Sequence, residues 1–172
     1  MSLSPYFYLE KYNRNRNRWE RIAPLVWDYN HEKMVPADLF PYNGAHEVFE
    51  ALSDSSYCEH PVKGVHRWRP SDLSPDVVKE IDEYELDDYW DGVAHKCPVQ
   101  WLTYADLCIH LLKYPEVNDY DKEAEYEYKQ VFMKRNPVFL LKERVDAFLE
   151  VAGEDLFIED DCSLTRIVFW VV

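Results

Sequence analysis

A nine-residue stretch near the end of the chain restricts its possible folds more than any other segment. It reads Leu164-Thr-Arg-Ile-Val-Phe-Trp-Val-Val172 and carries apolar residues on both alternating sets of positions, with Arg166 as its one charged residue. Because successive side chains of a strand point to opposite faces of a sheet, both faces of such a strand have to be covered. The stretch therefore predicts a central β-strand with other elements packed on either side.

The beginning of the chain predicts a β-hairpin. Tyr6–Tyr12 is rich in aromatic residues, which favour strands, and it is followed by the asparagine-rich, turn-prone segment Asn13–Arg18. Trp19–Ile22 has the composition of the returning strand. We expect this hairpin and the strand that contains Arg166 to share one small mixed or antiparallel sheet.

The middle of the chain predicts about four to five helices. Apolar residues recur there at helical spacing, and the starts include an Asn cap, Ser74-Pro75 and Thr103. The predicted helices cover residues 43–52, 74–84, 103–114, 121–133 and 136–152. Residues 23–43 hold three prolines and little periodicity, so an irregular connection is predicted for them. The length of 172 residues fits one domain, and we predict a single α+β domain over residues 1–172.

Composition excludes several classes of function. The 16% of aromatic residues favours an ordered protein. The net charge of −14 disfavours direct binding of nucleic acid, because phosphates are bound through cationic contacts. No apolar run approaches the length of a membrane helix, and no export signal is recognisable, so we expect no membrane and a cytoplasmic location. The four cysteines are then expected to be free thiols.

A loop followed by a helix start is the first candidate for a functional site. Thr103 is a plausible N-cap, and the loop before it holds Asp91, His95 and Cys97. Titratable groups in a loop that leads into a helix N-terminus are a reasonable place for a ligand.

Catalysis and metal binding have weaker support in the same loop. Cys97 has His95 as a possible base and Asp91 to orient it, but no glycine-rich oxyanion element accompanies them. Cys58 and His60, with His95 and Cys97, offer zinc ligand types at a spacing that is not a standard zinc signature. We therefore predict no catalytic residue, no metal and no cofactor, and keep a Cys/His hydrolase or a zinc-dependent protein as an alternative.

Ligand binding without catalysis is the main hypothesis. Arg67 and Arg69 flank Trp68, and such a set can bind an anionic, planar ligand through cations for phosphate and an aromatic face for a base. The predicted ligand-binding residues are Arg67, Trp68, Arg69, Asp91, His95, Trp101 and Thr103. The competing hypothesis is an acidic inhibitor or nucleic-acid mimic, because seven acids and no Lys or Arg occur between Glu80 and Asp91. Homo-oligomerisation stays open, since aromatic-rich strands can pair at an edge.

Three segments resemble a family of small, uncharacterised proteins of bacteriophages and bacteria. Arg67–Ser74 resembles the family's Arg-Gly-Leu-Pro-x-Asp-Val-Ser, and Thr165–Trp170 resembles its closing Arg-Ile-Val-Phe-Trp strand. Asp91-Gly92, His95 and Trp101-Leu-Thr103 resemble its Asp-Gly-His…Trp-Leu-Thr loop, although this chain has extra residues between Gly92 and Trp101.

The opening of the chain departs from the family pattern. The family opens with Gly-Cys-Asp-Ile-His, whereas this chain has Leu3, Ser4 and Tyr6 in place of the Cys, Asp and His, with Tyr8 and Glu10 still in register. The resemblance implies an accessory protein of phage type that acts in the cytoplasm of the host cell. Combined with the site above, it leads us to expect evasion of host defence by sequestering a nucleotide-like ligand. The alternative partner is a basic host defence protein.

Overall fold

The computed structural model describes residues 4–41, 44–53, 60–87, 99–115, 137–154 and 162–171. The described strands are β1 (Pro5–Asn13), β2 (Arg18–Ile22), β3 (Leu25–Asp28), β4 (Lys33–Pro36), β5 (Gln100–Thr103) and β6 (Thr165–Val171). The described helices are α1 (Ala45–Ser53), α2 (Pro75–Asp87), α3 (Tyr104–Lys113) and α4 (Pro137–Val151). The mixed α and β content that was predicted is confirmed, with four helices in this part of the chain. The helix predicted over residues 121–133 lies outside the described residues.

The main sheet has four antiparallel strands in the order β2-β1-β6-β5. β6 lies between β1 and β5, and all seven of its residues are buried. The prediction of a central strand for this segment is confirmed, and so is the pairing of the N-terminal hairpin with it. Val168 is aligned with Tyr8 on one side and with Trp101 on the other.

Helices cover the two faces of this sheet. On one face, apolar residues of α1, α3 and α4 pack with Leu9, Leu102, Ile167 and Phe169. On the other face, apolar residues of α2 pack with Tyr8, Val168 and Trp170. The next row of the second face is polar, because the register aligns Glu10 with Arg166 and Arg166 with Thr103. This polar row lies beside the packed part of α2.

The helix starts follow the local chemistry of the sequence. Thr103 Oγ1 accepts a hydrogen bond from the backbone N–H of Asp106, so Thr103 is the N-cap of α3. Pro75 occupies the first position of α2, where no N–H is needed, and the N–H of Val78 donates to the carbonyl of Ser74. No helix in the described ranges is long and apolar enough to cross a membrane.

The irregular connection predicted for residues 23–43 is wrong for residues 25–36. β3 and β4 form a separate two-stranded antiparallel sheet in which Leu25 is aligned with Pro36 and Trp27 with Met34. The prolines misled the prediction because Pro24 directly precedes β3 and Pro36 is the last residue of β4. Proline is tolerated at such positions, since neither has to donate to the partner strand.

Candidate functional site

The polar row of the main sheet is centred on the buried guanidinium of Arg166. Arg166 Nε donates to Glu10 Oε2 at 2.6 Å, and Arg166 Nη1 donates to Asp72 Oδ1 at 2.9 Å. The side chains of Arg166 and Glu10 are 2% and 0% exposed, whereas that of Asp72 is 59% exposed. A buried charge is tolerated only when it is paired and hydrogen-bonded, and both conditions hold for Arg166 and Glu10.

The same cluster holds the start of α2 on the sheet. The second carboxylate oxygen of Glu10, Oε1, accepts a hydrogen bond from the backbone N–H of Ser74 at 2.7 Å. Arg166 Nη2 donates to the carbonyl oxygen of Asp72 at 3.1 Å. Residues 72–74 are therefore fixed by side chains of the two central strands.

Three tryptophans and two side chains that can carry positive charge alternate beside this cluster; together we call them the Trp–cation stack. The guanidinium carbon of Arg166 lies 3.9 Å from the ring centre of Trp19 and 5.5 Å from that of Trp101. The His66 ring stacks on Trp101 at 4.0 Å between centres, and Trp68 meets His66 edge-on at 5.3 Å. The stack thus consists of Trp19, Arg166, Trp101, His66 and Trp68. It leads from the buried ion pair to an exposed tryptophan, because Trp68 is 63% exposed.

Backbone contacts fix the outer part of the stack. The N–H of His66 donates to the carbonyl of Trp101 at 2.8 Å, and the N–H of Trp101 donates to the carbonyl of His66 at 3.0 Å. This isolated bridge places His66 beside the edge strand β5. Just before it, Gly64 has a φ of +94° and packs against the side chain of Asp106 in α3.

The exposed end of the stack is positively charged. Lys63 and Arg67 are both exposed, and among the described residues neither forms an ion pair. Arg69 Nη1 lies 3.7 Å from Asp82 Oδ1 of α2, so its charge is partly compensated. We call residues 63–69 the basic-aromatic segment.

The residues predicted for ligand binding fall into three groups in the structure. Arg67, Trp68 and Arg69 lie on the basic-aromatic segment, and Trp101 reaches it through His66. Thr103 serves α3 instead, since its Oγ1 also donates to Asp106 Oδ2 at 2.8 Å. A carboxylate therefore already occupies this helix N-terminus. Asp91 and His95 lie outside the described residues, so their place in the site stays a prediction.

Sequence analysis missed the inner half of the site. Trp19, Asp72 and Arg166 come from distant parts of the chain, and Trp19 Nε1 donates to Asp72 Oδ2 at 2.9 Å. One signal was available, because a single arginine in a strand covered on both faces needs a buried acidic partner. Glu10 is that partner.

No described group of residues is arranged for metal binding. Among the residues that the structure describes, no three His, Cys, Asp or Glu side chains converge as metal ligands. Of the four residues considered for zinc, Cys58, His95 and Cys97 lie outside the described ranges, and the ring of His60 stacks on Tyr114 at 4.1 Å.

Two further clusters of titratable groups each contain one buried side chain, His110 in the first and Tyr104 in the second. Burial, and then electrostatic repulsion from the nearby His60, lower the pKa of His110. In the other cluster the hydroxyl of Tyr104 donates to Asp146 Oδ1 at 2.5 Å, and burial raises the pKa of Tyr104. Burial also raises the pKa of the neighbouring Cys108 thiol, which keeps it protonated and disfavours it as a nucleophile.

A groove of about 610 Å³ lies elsewhere, between the β1–β2 hairpin and the end of α4. It is lined by both charge signs, and Lys11 Nζ pairs there with Glu154 Oε2 at 2.6 Å. This mixed and internally paired lining favours no single class of ligand.

The chain matches no family model, no curated protein and no solved structure.

Proposed function

We propose that this protein binds and sequesters an anionic, planar, nucleotide-like ligand on the basic-aromatic segment. The observation that carries the proposal is the exposed Trp68 ring, with Arg67 next to it in the chain and Lys63 in the same short segment. Neither cation is paired within the described part of the chain. An indole face and two available cations are the groups that a nucleotide needs.

The energetics favour such a ligand at this place. Stacking of a base on an aromatic side chain contributes about 1–3 kcal/mol, and charge-assisted contacts to a phosphate add to it. The chain has a net charge of −14, so two cations in one short segment that pair with no described residue are a local exception to its acidic composition. Such an exception favours an anion at this segment over the rest of the molecule.

The Trp–cation stack supports the same proposal through preorganisation. His66 is held by two backbone hydrogen bonds to Trp101, and Trp68 contacts the ring of His66. Restricting the motion of Trp68 before binding lowers the entropic cost of stacking a ligand on it. We assign Arg69 and Trp101 supporting positions around the ligand, whereas Thr103 acts indirectly as the N-cap of α3. Asp91 and His95 remain proposed parts of the site.

Internal ion pairs on α2 weigh against mimicry of nucleic acid. Glu80 Oε1 lies 3.4 Å from Arg21 Nη1, and Lys79 lies 3.8 Å from Glu83. Together with the contact of Arg69 and Asp82, these pairs engage carboxylates that a mimic would present to its partner. We retain docking on a basic host protein as the alternative partner.

In the cell, we propose an accessory protein of phage type that withdraws a nucleotide signal from a host defence system. The support is the resemblance of three segments to proteins of that origin. A plaque assay with a defence-carrying host tests it: co-expression of the wild-type protein should restore infection, and the Trp68→Ala variant should not. Equal infection with the wild-type protein and with Trp68→Ala would contradict this role.

Binding itself is tested by isothermal titration calorimetry with four ribonucleoside monophosphates, AMP, GMP, CMP and UMP. We expect at least one to bind more tightly than its own nucleoside and than ribose 5-phosphate, because base and phosphate both contribute. Trp68→Ala should weaken this binding by about tenfold or more, as expected for one lost stacking contact. Arg67→Gln should weaken it as well.

A matched control is Trp27→Ala, which removes another exposed tryptophan, in β3, and should leave the affinity unchanged. If none of the nucleotides binds, or if Trp68→Ala binds as tightly as the wild type, the proposal is wrong.

A further inference from the structure

The β3–β4 hairpin presents an apolar face to solvent. Side chains alternate along a strand, so the aligned pairs Leu25–Pro36 and Trp27–Met34 project from the same face. Leu25, Trp27 and Met34 are 59%, 48% and 51% exposed, and Pro36 is exposed as well. A two-stranded hairpin is marginally stable in water, and an exposed apolar face of this kind marks a surface that binds something.

The backbone of β3 adds hydrogen-bonding groups at the same place that pair with no described residue. The N–H of Ala37 donates to the carbonyl of Pro24 at 2.8 Å, which fixes the alternation of the ladder between the two strands. By that alternation Val26 is bonded to β4, whereas the N–H and C=O groups of Leu25 and Trp27 point away from it. Among the described strands none pairs with this edge of β3.

The opposite edge of the hairpin is less suited to pairing. Its outward positions in β4 are Met34 and Pro36, and Pro36 has no N–H to donate. An added strand is therefore expected on β3.

Charge complementarity indicates the kind of partner. Residues 25–38 carry Asp28, Glu32 and Asp38 against Lys33, which is aligned with Asp28. The ring nitrogen Nδ1 of His31 lies 2.7 Å from Asp28 Oδ2, so Glu32 and Asp38 supply most of the negative charge that is available to a partner. The whole chain has a net charge of −14, so a second copy would add like charge at the contact. A positively charged segment is attracted by the same field.

We infer that the β3 edge and its apolar face bind an extended, basic segment of a partner protein, which adds to the hairpin as a third strand. Backbone hydrogen bonds to Leu25 and Trp27 supply affinity, and alternate apolar side chains of the segment cover Trp27 and Met34. This surface uses none of the residues proposed for the nucleotide-like ligand, so it stands independently of that proposal.

The test uses a fluorescein-labelled peptide of alternating lysine and valine and measures fluorescence anisotropy. The wild-type protein should bind it. The Trp27→Ser/Met34→Ser variant should bind it at least about tenfold more weakly, because the apolar contact is lost. Leu112→Ser is the control, since Leu112 is 83% exposed on α3, away from the hairpin, and its loss should not matter. Circular dichroism confirms that the variants are folded.

Two control peptides separate the contributions of charge and pairing. Alternating lysine and proline keeps the charge but lacks half of the N–H groups, and alternating glutamate and valine keeps the pattern but reverses the charge. Both should bind more weakly than the lysine–valine peptide. The inference is wrong if the wild type does not bind that peptide, if either control binds equally well, or if the hairpin variant retains full affinity.

Sedimentation velocity of the protein alone tests whether a second copy of the chain occupies this surface. A dimer that Trp27→Ser/Met34→Ser dissociates would assign this surface to a second copy and overturn the inference. The nucleotide titration should give the same result in this variant and in the wild type, so failure here and failure of the proposed ligand site are distinguishable.

Discussion

At the scale of single residues, Arg166 connects the fold to the site. It is the one charged residue of the central strand, and its guanidinium pairs with the fully buried Glu10 and lies between two indole rings. Removing only one partner of a buried pair leaves the other charge without compensation, whereas removing both can be nearly neutral. Arg166 and Glu10 are therefore expected to behave as a unit.

Arg166→Met should lower the free energy of unfolding by about 3–5 kcal/mol, because Glu10 is then buried without a partner. The double variant Glu10→Leu/Arg166→Met should recover much of this loss. Urea denaturation measures both. The control is Arg18→Ala, whose exposed contact with Glu20 should contribute little to stability because solvent screens it. A loss of unfolding free energy in the double variant that equals the sum of the losses in Glu10→Leu and Arg166→Met would contradict the pairing.

His110 predicts a pH dependence of stability. Burial, and next electrostatic repulsion from His60, lower the pKa of His110 below its usual 6.5, so the unfolded chain takes up this proton more readily. The contribution of the neutral, buried His110 to the free energy of unfolding is present above about pH 6.5 and is lost as the pH falls below that value. The environment of His110 also includes Tyr114, whose ring lies 5.2 Å away.

We therefore expect a lower free energy of unfolding at about pH 5.5 than at about pH 7.5, and a smaller difference in His110→Gln. Urea denaturation at the two pH values measures this difference. His46→Gln, at an exposed histidine of α1, should keep the wild-type difference. An unchanged pH difference in His110→Gln would contradict the assignment.

At the scale of elements, local signals predicted most of the fold. β6 was placed centrally from its two apolar faces, and α3 was placed from its cap at Thr103. α2 starts at the predicted Ser74-Pro75, although within the described part of the chain Ser74 Oγ caps no N–H group. These signals act within a few residues, so they can be read from the sequence. The pairing of His66 with Trp101 and the contact of Trp19 with Asp72 depend on how distant segments meet, and no local pattern encodes that.

The β3–β4 hairpin was missed for a different reason. Its prolines lie at the strand ends, where a proline in the sequence indicates an irregular segment as readily as an edge strand. The segments that resemble a phage and bacterial family do meet in space. Asp72, Trp101 and Arg166 belong to one segment each, and Asp72 and Trp101 both contact the guanidinium of Arg166. The resemblance itself stays a prediction.

The turn before the basic-aromatic segment can be tested with two glycines. A Cβ at Gly64 would lie 2.7 Å from the carboxyl group of Asp106, whereas a Cβ at Gly153, after α4, would meet nothing within 4 Å. Both have positive φ, so Gly153→Ala should cost about 1 kcal/mol from backbone strain alone. Gly64→Ala should cost more and should also weaken nucleotide binding, because the turn positions the segment.

Urea denaturation and calorimetry measure the two effects of these alanines. Equal stability losses in the two variants, with unchanged ligand affinity in Gly64→Ala, would show that the turn does not position the site.

At the scale of the whole molecule, the distribution of charge separates the two candidate functions. Ligand binding needs the cations of residues 63–69, whereas mimicry of nucleic acid needs the carboxylates of α2. The two surfaces adjoin where Arg69 approaches Asp82. Reversing exposed charges on each surface in turn tests which one the function uses.

Asp76→Lys/Glu83→Lys should leave nucleotide affinity unchanged or raise it, because it reduces the acidic field near the site. Arg67→Glu should lower that affinity by about tenfold or more, since a phosphate then faces a carboxylate. Calorimetry measures both variants. Loss of nucleotide binding in the α2 variant, with Arg67→Glu unaffected, would contradict ligand binding on residues 63–69.

The central claim, that the protein holds a nucleotide-like ligand, is tested most directly by mass spectrometry of the protein isolated from the cells in which it occurs. Native and denaturing spectra are compared for the wild type and for Trp68→Ala. The account predicts an additional small mass on the native wild-type protein, which is released on denaturation as a phosphorylated compound and is absent or strongly reduced in Trp68→Ala. The same ligand-free mass for both proteins under both conditions would contradict it.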